Sequence, residues 1–277
     1  MKNNIKISVI MGVYNPASQE RLFRSVQSVI DQSFAEWELL LYDDGSQAPF
    51  TSLIQAAAAL DPRILLLHGQ QNRGLAHALN VCIRSASGSY IARMDDDDVS
   101  KPDRFQKQLD FLETHSQYQW VGSLAELVDS HGVWGIESVP KTPQGRDFLW
   151  NSPYIHPSVL FRAGVLLGHG GYDPSSSVVQ CEDYELFMRL HSRGNQGYNL
   201  QEPLLQYWED RESYRQRTYR RRIREMKVRY HGFQDLGILR PGTFFYVMKP
   251  LLVGAVPASA HHSIKHWRKK KPQQMPK

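Results

Sequence analysis

The sequence predicts an α/β domain with a doubly wound, mostly parallel sheet, followed by a basic helical extension. Three observations lead to this fold class. Short apolar runs alternate with segments of helical spacing over the first hundred residues, which is typical of strand–helix–strand units. A polar cluster follows each apolar run directly. The basic side chains are concentrated after residue 210, so we divide the chain into a domain over 1–210 and an extension over 211–277.

The first predicted strand covers residues 6–13 and is apolar almost throughout, as expected for a strand buried on both faces of a parallel sheet. The turn before Pro16 ends it. In the next segment Leu22, Val26 and Val29 recur at helical spacing.

Three further strands follow, over residues 37–42, 64–67 and 89–94, and a helix with one apolar face covers 75–83. Polar residues come directly after all four strands. In a doubly wound sheet the carboxyl ends of parallel strands lie along one edge, where ligands bind. We therefore expect four clusters to meet in one site: Tyr14–Asn15, Asp43–Asp44, Asn72–Gly74 and Asp95–Asp98.

The glycine-rich phosphate-binding motifs are missing from this pattern. No Gly-x-Gly-x-x-Gly follows the first strand, and no Walker loop occurs anywhere. Dinucleotide binding and P-loop chemistry are therefore disfavoured.

The four consecutive aspartates allow two interpretations. Adjacent carboxylates repel one another, and a divalent cation completed by substrate phosphates is one compensation. A solvated acidic loop that caps a helix starting near Pro102 is the other.

The second half of the domain has a mixed pattern. Residues 155–162 predict another strand, a glycine-rich stretch covers 168–171, and a helix begins near Glu182 and Asp183. Acidic residues commonly cap helix starts, so this pair alone also fits a structural role.

Composition restricts the class of protein. A hydrophobic fraction of 41% supports a folded core, and Cys82 and Cys181 lack the spacing of a zinc or disulfide framework, which favours a reducing compartment. Residues 1–4 run into the first strand without an apolar signal core.

The charge is strongly asymmetric. Residues 211–277 hold 17 Lys and Arg against 3 Asp and Glu, whereas residues 1–210 hold 16 against 25. A basic helix follows residue 210, with a predicted apolar stripe of Tyr219, Ile223, Met226 and Tyr230. The extension could dock on an anionic membrane or present a solvated basic face. A nucleic-acid site is disfavoured, because no recognisable nucleic-acid fold is present.

Six ordered blocks of residues resemble the family 2 glycosyltransferases with the GT-A fold. The blocks span roughly residues 5–205 and lie in the family's order. They are 8–15, 41–46, 72–80, 88–98, 170–173 and 182–186. With this resemblance, the aspartates are interpreted as a metal and diphosphate site.

The resemblance implies an inverting enzyme that transfers one sugar from a nucleotide-diphosphate sugar to a hydroxyl of a glycan or lipid-linked acceptor. It further implies a divalent cation, Mn²⁺ or Mg²⁺, and a role in envelope, capsular or O-antigen polysaccharide synthesis. We expect a cytoplasmic protein, with peripheral binding to the inner face of the cell membrane as an open alternative.

The resemblance also implies roles for individual residues. Asp183 matches the catalytic base, and Asp97 with Asp95 matches the metal ligands. His156 and Glu182 are candidates for the acceptor side. The predicted nucleotide-sugar contacts are Val13, Tyr14, Asn15, Asp43, Asp44, Arg73, Gly74, Asp95 and Asp96.

The chain departs from the family pattern at two places. Asp96 stands where a small residue is usual and Asp98 follows, which leaves the register of the metal ligands open. Residues 206–211 match the family's Tyr-Arg segment poorly, so Arg211 is only a candidate phosphate ligand. Without a Gln-x-x-Arg-Trp motif, transfer of single residues is favoured over processive synthesis. A catalytically idle nucleotide-sugar-binding protein and a GT-A nucleotidyltransferase remain as alternatives.

Overall fold

The computed structural model describes residues 5–209 and 218–254. Within these residues nine strands form one sheet, in the order β3-β2-β1-β4-β8-β6-β9-β5, and β7 pairs with β6. The strands are β1 (Ile7–Val13), β2 (Trp37–Asp43), β3 (Ile64–His68), β4 (Tyr90–Arg93), β5 (Val99–Ser100), β6 (Trp120–Asp129), β7 (Gly132–Glu137), β8 (Leu160–Arg162) and β9 (Gly197–Trp208).

Helices cover both faces of this sheet. They are α1 (Gln19–Ile30), α2 (Phe50–Ala58), α3 (Leu75–Ser85), α4 (Arg104–Thr114), α5 (Ala163–Gly168), α6 (Glu182–Ser192), α7 (Tyr219–Asp235) and α8 (Phe244–Gly254). None of the helices in the described ranges has the length and apolar character needed to cross a bilayer.

The first four strands of the sheet run parallel, as predicted. β1 pairs with β2 and β4, and β2 pairs with β3. Beyond β4 the sheet is mixed, because β8 joins β4 and β6 in antiparallel pairs whereas β6 and β9 are parallel. The predicted α/β class is confirmed, and the parallel half carries the strand ends at which the polar clusters were expected.

Alternation along the strands explains the two halves of the core. Val9 and Met11 of β1 pack in one apolar cluster, whereas Ile10 packs in the cluster on the other face of the sheet. Successive side chains of a strand point to opposite faces, so a strand buried on both faces must be continuously apolar. The nearly unbroken apolar run of β1 is thereby accounted for.

The strand predicted over residues 155–162 is only partly correct. The chain forms a short 3-10 helix over His156–Ser158, and strand β8 begins at Leu160. Pro157 has no backbone N–H to donate to a strand ladder, and the Oγ of Ser158 instead donates to the carbonyl of Ile155 at 2.7 Å. His156 consequently lies on a tight turn at the edge of the site.

Helix α7 is present, but of the apolar stripe predicted for it only Met226 packs against the core. Tyr219 and Tyr230 are exposed, whereas Val228 and Phe233 are buried and join the core cluster that contains residues of α6. Arg229 is also buried on this face. Packing against α6 therefore selects a face that periodicity alone did not identify.

Helices α7 and α8 are attached to the main domain through this arginine. Arg229 pairs with Glu225 and donates to the carbonyl oxygens of Leu149 at 2.9 Å and Trp150 at 3.0 Å. The boundary after residue 210 stays a prediction. Arg211 and the basic segment from 255 onward lie outside the described residues.

Candidate active site

Three of the four consecutive aspartates converge at the carboxyl end of β4. One carboxylate oxygen from each of Asp95, Asp97 and Asp98 lies within 4.8 Å of the others. Asp96 is not part of this group. Asp98 thus shares the cluster with the two residues that were predicted as metal ligands, whose role as ligands stays a prediction.

Contacts from three elements hold the aspartate loop. The Oγ of Ser25 in α1 donates to the carbonyl of Asp95 at 2.6 Å, and the backbone N–H of Trp208 in β9 donates to Oδ1 of Asp98 at 2.9 Å. Below the loop, the buried Arg104 donates to the carbonyl of Arg93 at 2.9 Å. The carboxylates are thus placed by a rigid frame rather than by a free loop.

Burial and mutual repulsion act on the carboxyls of the aspartate cluster. Burial, reinforced by the neighbouring carboxylates, raises the pKa of Asp96 to about 6 and that of Asp97 to about 7, and it raises the pKa of Asp98 well above its usual range. Oδ2 of Asp98 is buried without a hydrogen-bond partner among the described residues. Three converging carboxylates with an unsatisfied oxygen match the ligand preference of Mn²⁺ or Mg²⁺, so the residues present fit a divalent cation.

A buried arginine beneath the cluster escaped the sequence analysis. The side chain of Arg93 is almost wholly inaccessible, and its Nη1 pairs with Oδ1 of Asp95. Its Nε has no hydrogen-bond partner within the described chain. An arginine inside an otherwise apolar strand was the available signal, because buried charges are rare unless they are paired or functional.

Arg21 of α1 is a second missed cation. Its Nη1 lies 3.9 Å from Oδ2 of Asp97, and its guanidinium lies 4.5 Å from the ring centre of Trp208. The end of β9 and the start of α1 therefore close the outer side of the cluster. This approach depends on the sheet order, so no local pattern could have predicted it.

The predicted nucleotide end lies at the neighbouring strand ends. Val13 and Asp43 are register partners in β1 and β2. Asp43 accepts the N–H of Ser46 at 2.8 Å, and Asn15 donates its N–H to the Oγ of Ser46 at 2.9 Å. Asn15 adopts a left-handed φ of 43°, and Tyr14 beside it is exposed. These residues lie together in the turns that follow β1 and β2, where the polar clusters were expected.

Asp44 has a supporting contact in this region. It accepts the backbone N–H groups of Arg73 at 3.1 Å and of Gly74 at 2.7 Å, directly before α3. Burial raises the pKa of Asp44, while these two hydrogen bonds oppose that shift. Asp44 thereby positions the loop that carries Arg73, whose side chain is exposed.

His156, which was predicted for the acceptor side, forms a buried pair with Tyr172. Its Nε2 lies 2.7 Å from the hydroxyl of Tyr172, and burial together with the nearby Arg93 lowers its pKa well below the usual range. Tyr172 is held in turn by Asn80, which accepts its N–H at 2.8 Å and donates to its carbonyl at 2.7 Å. Burial therefore favours the neutral imidazole, and Asn80 holds the backbone of its partner Tyr172 in place.

Asp183 and Glu182 form the first turn of α6. Burial raises the pKa of both carboxyls, whereas the charges of Arg93 and Arg221 oppose the shift. Oε2 of Glu182 is buried and has no hydrogen-bond partner in the described ranges. A carboxyl with a raised pKa at the edge of a site is suited to accept a proton near neutral pH.

Tyr172 and Arg93 connect the two acidic groups of the site. The pKa of Tyr172 is raised by burial and responds to the charges of Arg93, Asp183, Glu182 and Asp95. Arg93 likewise acts on the carboxyls of both groups. The charge of Arg93 thus acts on the aspartate cluster and on the start of α6 alike.

Comparison with known proteins agrees with this geometry. Residues 8–159 match the sequence model described as "Glycosyl transferase family 2". The chain is 35% identical to the putative glycosyltransferase EpsE of Bacillus subtilis, over 94% of this chain and 92% of that protein. It is also 26% identical to the UDP-Gal:alpha-D-GlcNAc-diphosphoundecaprenol beta-1,3-galactosyltransferase of Escherichia coli. That match covers 92% of this chain and 93% of the galactosyltransferase.

A solved structure gives the same fold. The mannosyltransferase PcManGT of Pyrobaculum calidifontis, determined with GDP-Man and Mn²⁺, superposes with a TM-score of 0.62 at 18% identity. The match covers 96% of this chain and 81% of that one. The chain is a GT-A-fold glycosyltransferase and belongs to glycosyl transferase family 2.

Proposed function

We propose that the protein transfers a single sugar from a nucleotide-diphosphate sugar to a hydroxyl of a glycan or lipid-linked acceptor, with inversion and with a divalent cation. The observation that carries the proposal is the pairing of two acidic groups around Arg93 and Tyr172. One group is suited to a cation and a diphosphate, and the other, at the start of α6, is suited to accept a proton.

Asp97 and Asp95 are the proposed ligands of Mn²⁺ or Mg²⁺, and Asp98 completes the cluster. When bound, the cation stabilises the negative charge that develops on the departing diphosphate. The presence of Mn²⁺ in the related mannosyltransferase structure supports this assignment.

The nucleotide is proposed to lie along the ends of β1 and β2. Asp43 would accept a hydrogen bond from the base, and Tyr14 and Asn15 would line the same pocket. Arg73 extends from the loop that Asp44 holds, so its guanidinium can reach the base or a phosphate. Asp96 is assigned to the sugar-nucleotide contact, outside the three-carboxylate group.

Asp183 is the proposed base. The acceptor hydroxyl gives its proton to this carboxylate while its oxygen forms a bond to the anomeric carbon. The bond from that carbon to the diphosphate breaks on the opposite side, and a nucleoside diphosphate leaves. One in-line displacement inverts the anomeric carbon and needs no enzyme nucleophile. Glu182 and His156 would line the acceptor side of this step.

The acceptor class is proposed from the relatives. The Escherichia coli relative is named for a diphosphoundecaprenol-linked acceptor, and an Erwinia amylovora relative is named for amylovoran biosynthesis. We therefore propose a role in envelope polysaccharide synthesis. A cytoplasmic protein that works at the inner face of the cell membrane would meet such an acceptor.

A donor panel tests the proposal. UDP, GDP and dTDP sugars are incubated with Mn²⁺, with Mg²⁺ or with chelator, and the released nucleotide is identified. Metal-dependent release of a nucleoside diphosphate supports the proposal. Release of pyrophosphate would indicate a nucleotidyltransferase, and tight donor binding without turnover on any acceptor would indicate an idle binding protein.

A further inference from the structure

We infer that helix α8 and Trp150 form a docking surface for an anionic phospholipid bilayer. We call this surface the aromatic face and define it by Trp150, Phe244, Phe245 and Leu252. Its relevance to a lipid-linked acceptor rests on the proposed function. Bilayer binding itself does not require transfer and can be measured separately.

The two sides of α8 differ sharply. Val247 and Pro250 are buried against the rest of the protein. Phe245 and Leu252, seven residues apart and therefore on one face, are 59% and 54% exposed, and Phe244 is 46% exposed. The helix thus has one side that packs on the domain and one apolar side that faces solvent.

Trp150 extends this apolar side beyond the helix. It is 59% exposed, and the Nζ of Lys249 lies 3.7 Å from its ring centre. The ring of Tyr246 lies 6.3 Å away. A lysine beside exposed aromatic rings is typical of protein segments at a membrane–water interface.

The aromatic face is rigidly mounted. Arg229 of α7 donates to the carbonyl oxygens of Leu149 and Trp150, and its guanidinium lies 3.4 Å from the carbonyl of Tyr246. The loop, α7 and α8 are therefore joined at one buried group. A pre-organised face loses little conformational freedom when it binds.

Charge complementarity favours a lipid surface over a second copy of the chain. Residues 211–277 carry 17 Lys and Arg against 3 Asp and Glu, and residues 255–277 carry 6 basic and no acidic residues. Two copies of so basic a segment would repel each other, whereas the inner leaflet of a membrane is negative and would attract it. The 11 described residues of α8 are fewer than the about 20 that a spanning helix needs.

Vesicle co-sedimentation of the full chain tests the inference. Wild type is compared with the double variant Phe245→Ser/Leu252→Ser on vesicles of phosphatidylglycerol mixed with phosphatidylcholine and of phosphatidylcholine alone. We expect wild type to prefer the anionic vesicles and to be released by salt. The double variant should bind them at least roughly tenfold more weakly, because two side chains lose their apolar burial.

A matched control is Val133→Ser/Leu167→Ser, which removes two exposed apolar side chains from other surfaces. It should bind like wild type, and both double variants should keep the wild-type melting temperature and donor turnover. Equal binding of wild type and Phe245→Ser/Leu252→Ser would overturn the inference, as would wild type that ignores anionic vesicles. The inference would also be overturned if light scattering showed a wild-type dimer that Phe245→Ser/Leu252→Ser disrupts and the control variant does not. Vesicle binding without donor turnover would refute the proposed function alone.

Discussion

Arg93→Met removes the buried guanidinium that pairs with Asp95 while keeping a long apolar side chain. Arg93 is 1% exposed, and its Nη1 contacts a carboxylate whose side chain is 29% exposed. Its charge also acts on Asp97, Asp98 and Asp183. The substitution should therefore affect both stability and proton transfer.

The loss of stability can be worked from the burial of the pair. Removing one partner of a fully buried ion pair costs about 3–5 kcal/mol of unfolding free energy. Because Asp95 stays partly hydrated, we expect about 2–3 kcal/mol. At about 2–4 °C for each kcal/mol in a protein of this size class, the melting temperature should fall by roughly 4–12 °C. Differential scanning calorimetry of the metal-free protein measures this change.

The pH dependence gives a readout that a purely structural role would not change. Burial raises the pKa of Asp183, and the positive charge of Arg93 opposes that shift. Without the charge of Arg93 the pKa of Asp183 rises further, so the ionised carboxylate forms only at higher pH. The acidic limb of the profile of kcat/KM against pH should therefore move to higher pH.

Arg93→Lys serves as the control, because it keeps the positive charge but lacks the planar guanidinium group with its paired N–H donors. It should restore most of the position of the acidic limb even if it binds Asp95 less well. The reasoning is refuted if Arg93→Met leaves both the melting temperature and the acidic limb unchanged. It is also refuted if Arg93→Lys shifts the limb as far as Arg93→Met does.

The remaining predictions address the proposed base, the proposed cation site and the loop that carries Gly171. Asp183→Asn should lower kcat by about 10²–10⁴-fold and leave the Kd for the donor nucleotide, measured calorimetrically, near wild type. Asp97→Ala should abolish the rise in melting temperature that Mn²⁺ gives wild type, and an undiminished rise would contradict its role as a ligand. Gly171→Ala should destabilise by about 1–3 kcal/mol and lower activity, because its φ is +67° and a Cβ would meet Oδ1 of Asn80 at 2.3 Å. The matched Gly170→Ala, with φ +79° and open space, should keep activity, and equal activity loss in both variants would argue against the Asn80 contact.

Local pattern was sufficient for the framework of this protein. The apolar run over residues 6–13 predicted β1, and the polar residues after it predicted one edge of the site. Side-chain period and turn chemistry act over a few residues, so they can be identified in a single sequence. The same logic correctly placed the start of α6 near Glu182 and Asp183.

Contacts between elements that are far apart in the chain could not be predicted from such local patterns. The sequence could not show that Arg93 would pair with Asp95 as a buried cation, or that Tyr172 would meet His156, since both contacts depend on how distant elements pack. Nor could it identify the buried face of α7, where Val228 and Phe233 pack instead of the predicted tyrosines.

The sequence by itself determined which residues stand at the strand ends, and hence that four aspartates lie at the edge of a parallel sheet. Only the tertiary structure decided that Asp98 rather than Asp96 joins Asp95 and Asp97. The physical reason is that β9 and α1 hold this loop from outside, through Trp208 and Ser25. Those two contacts span 110 and 70 residues of chain, and only the packed sheet brings their partners together.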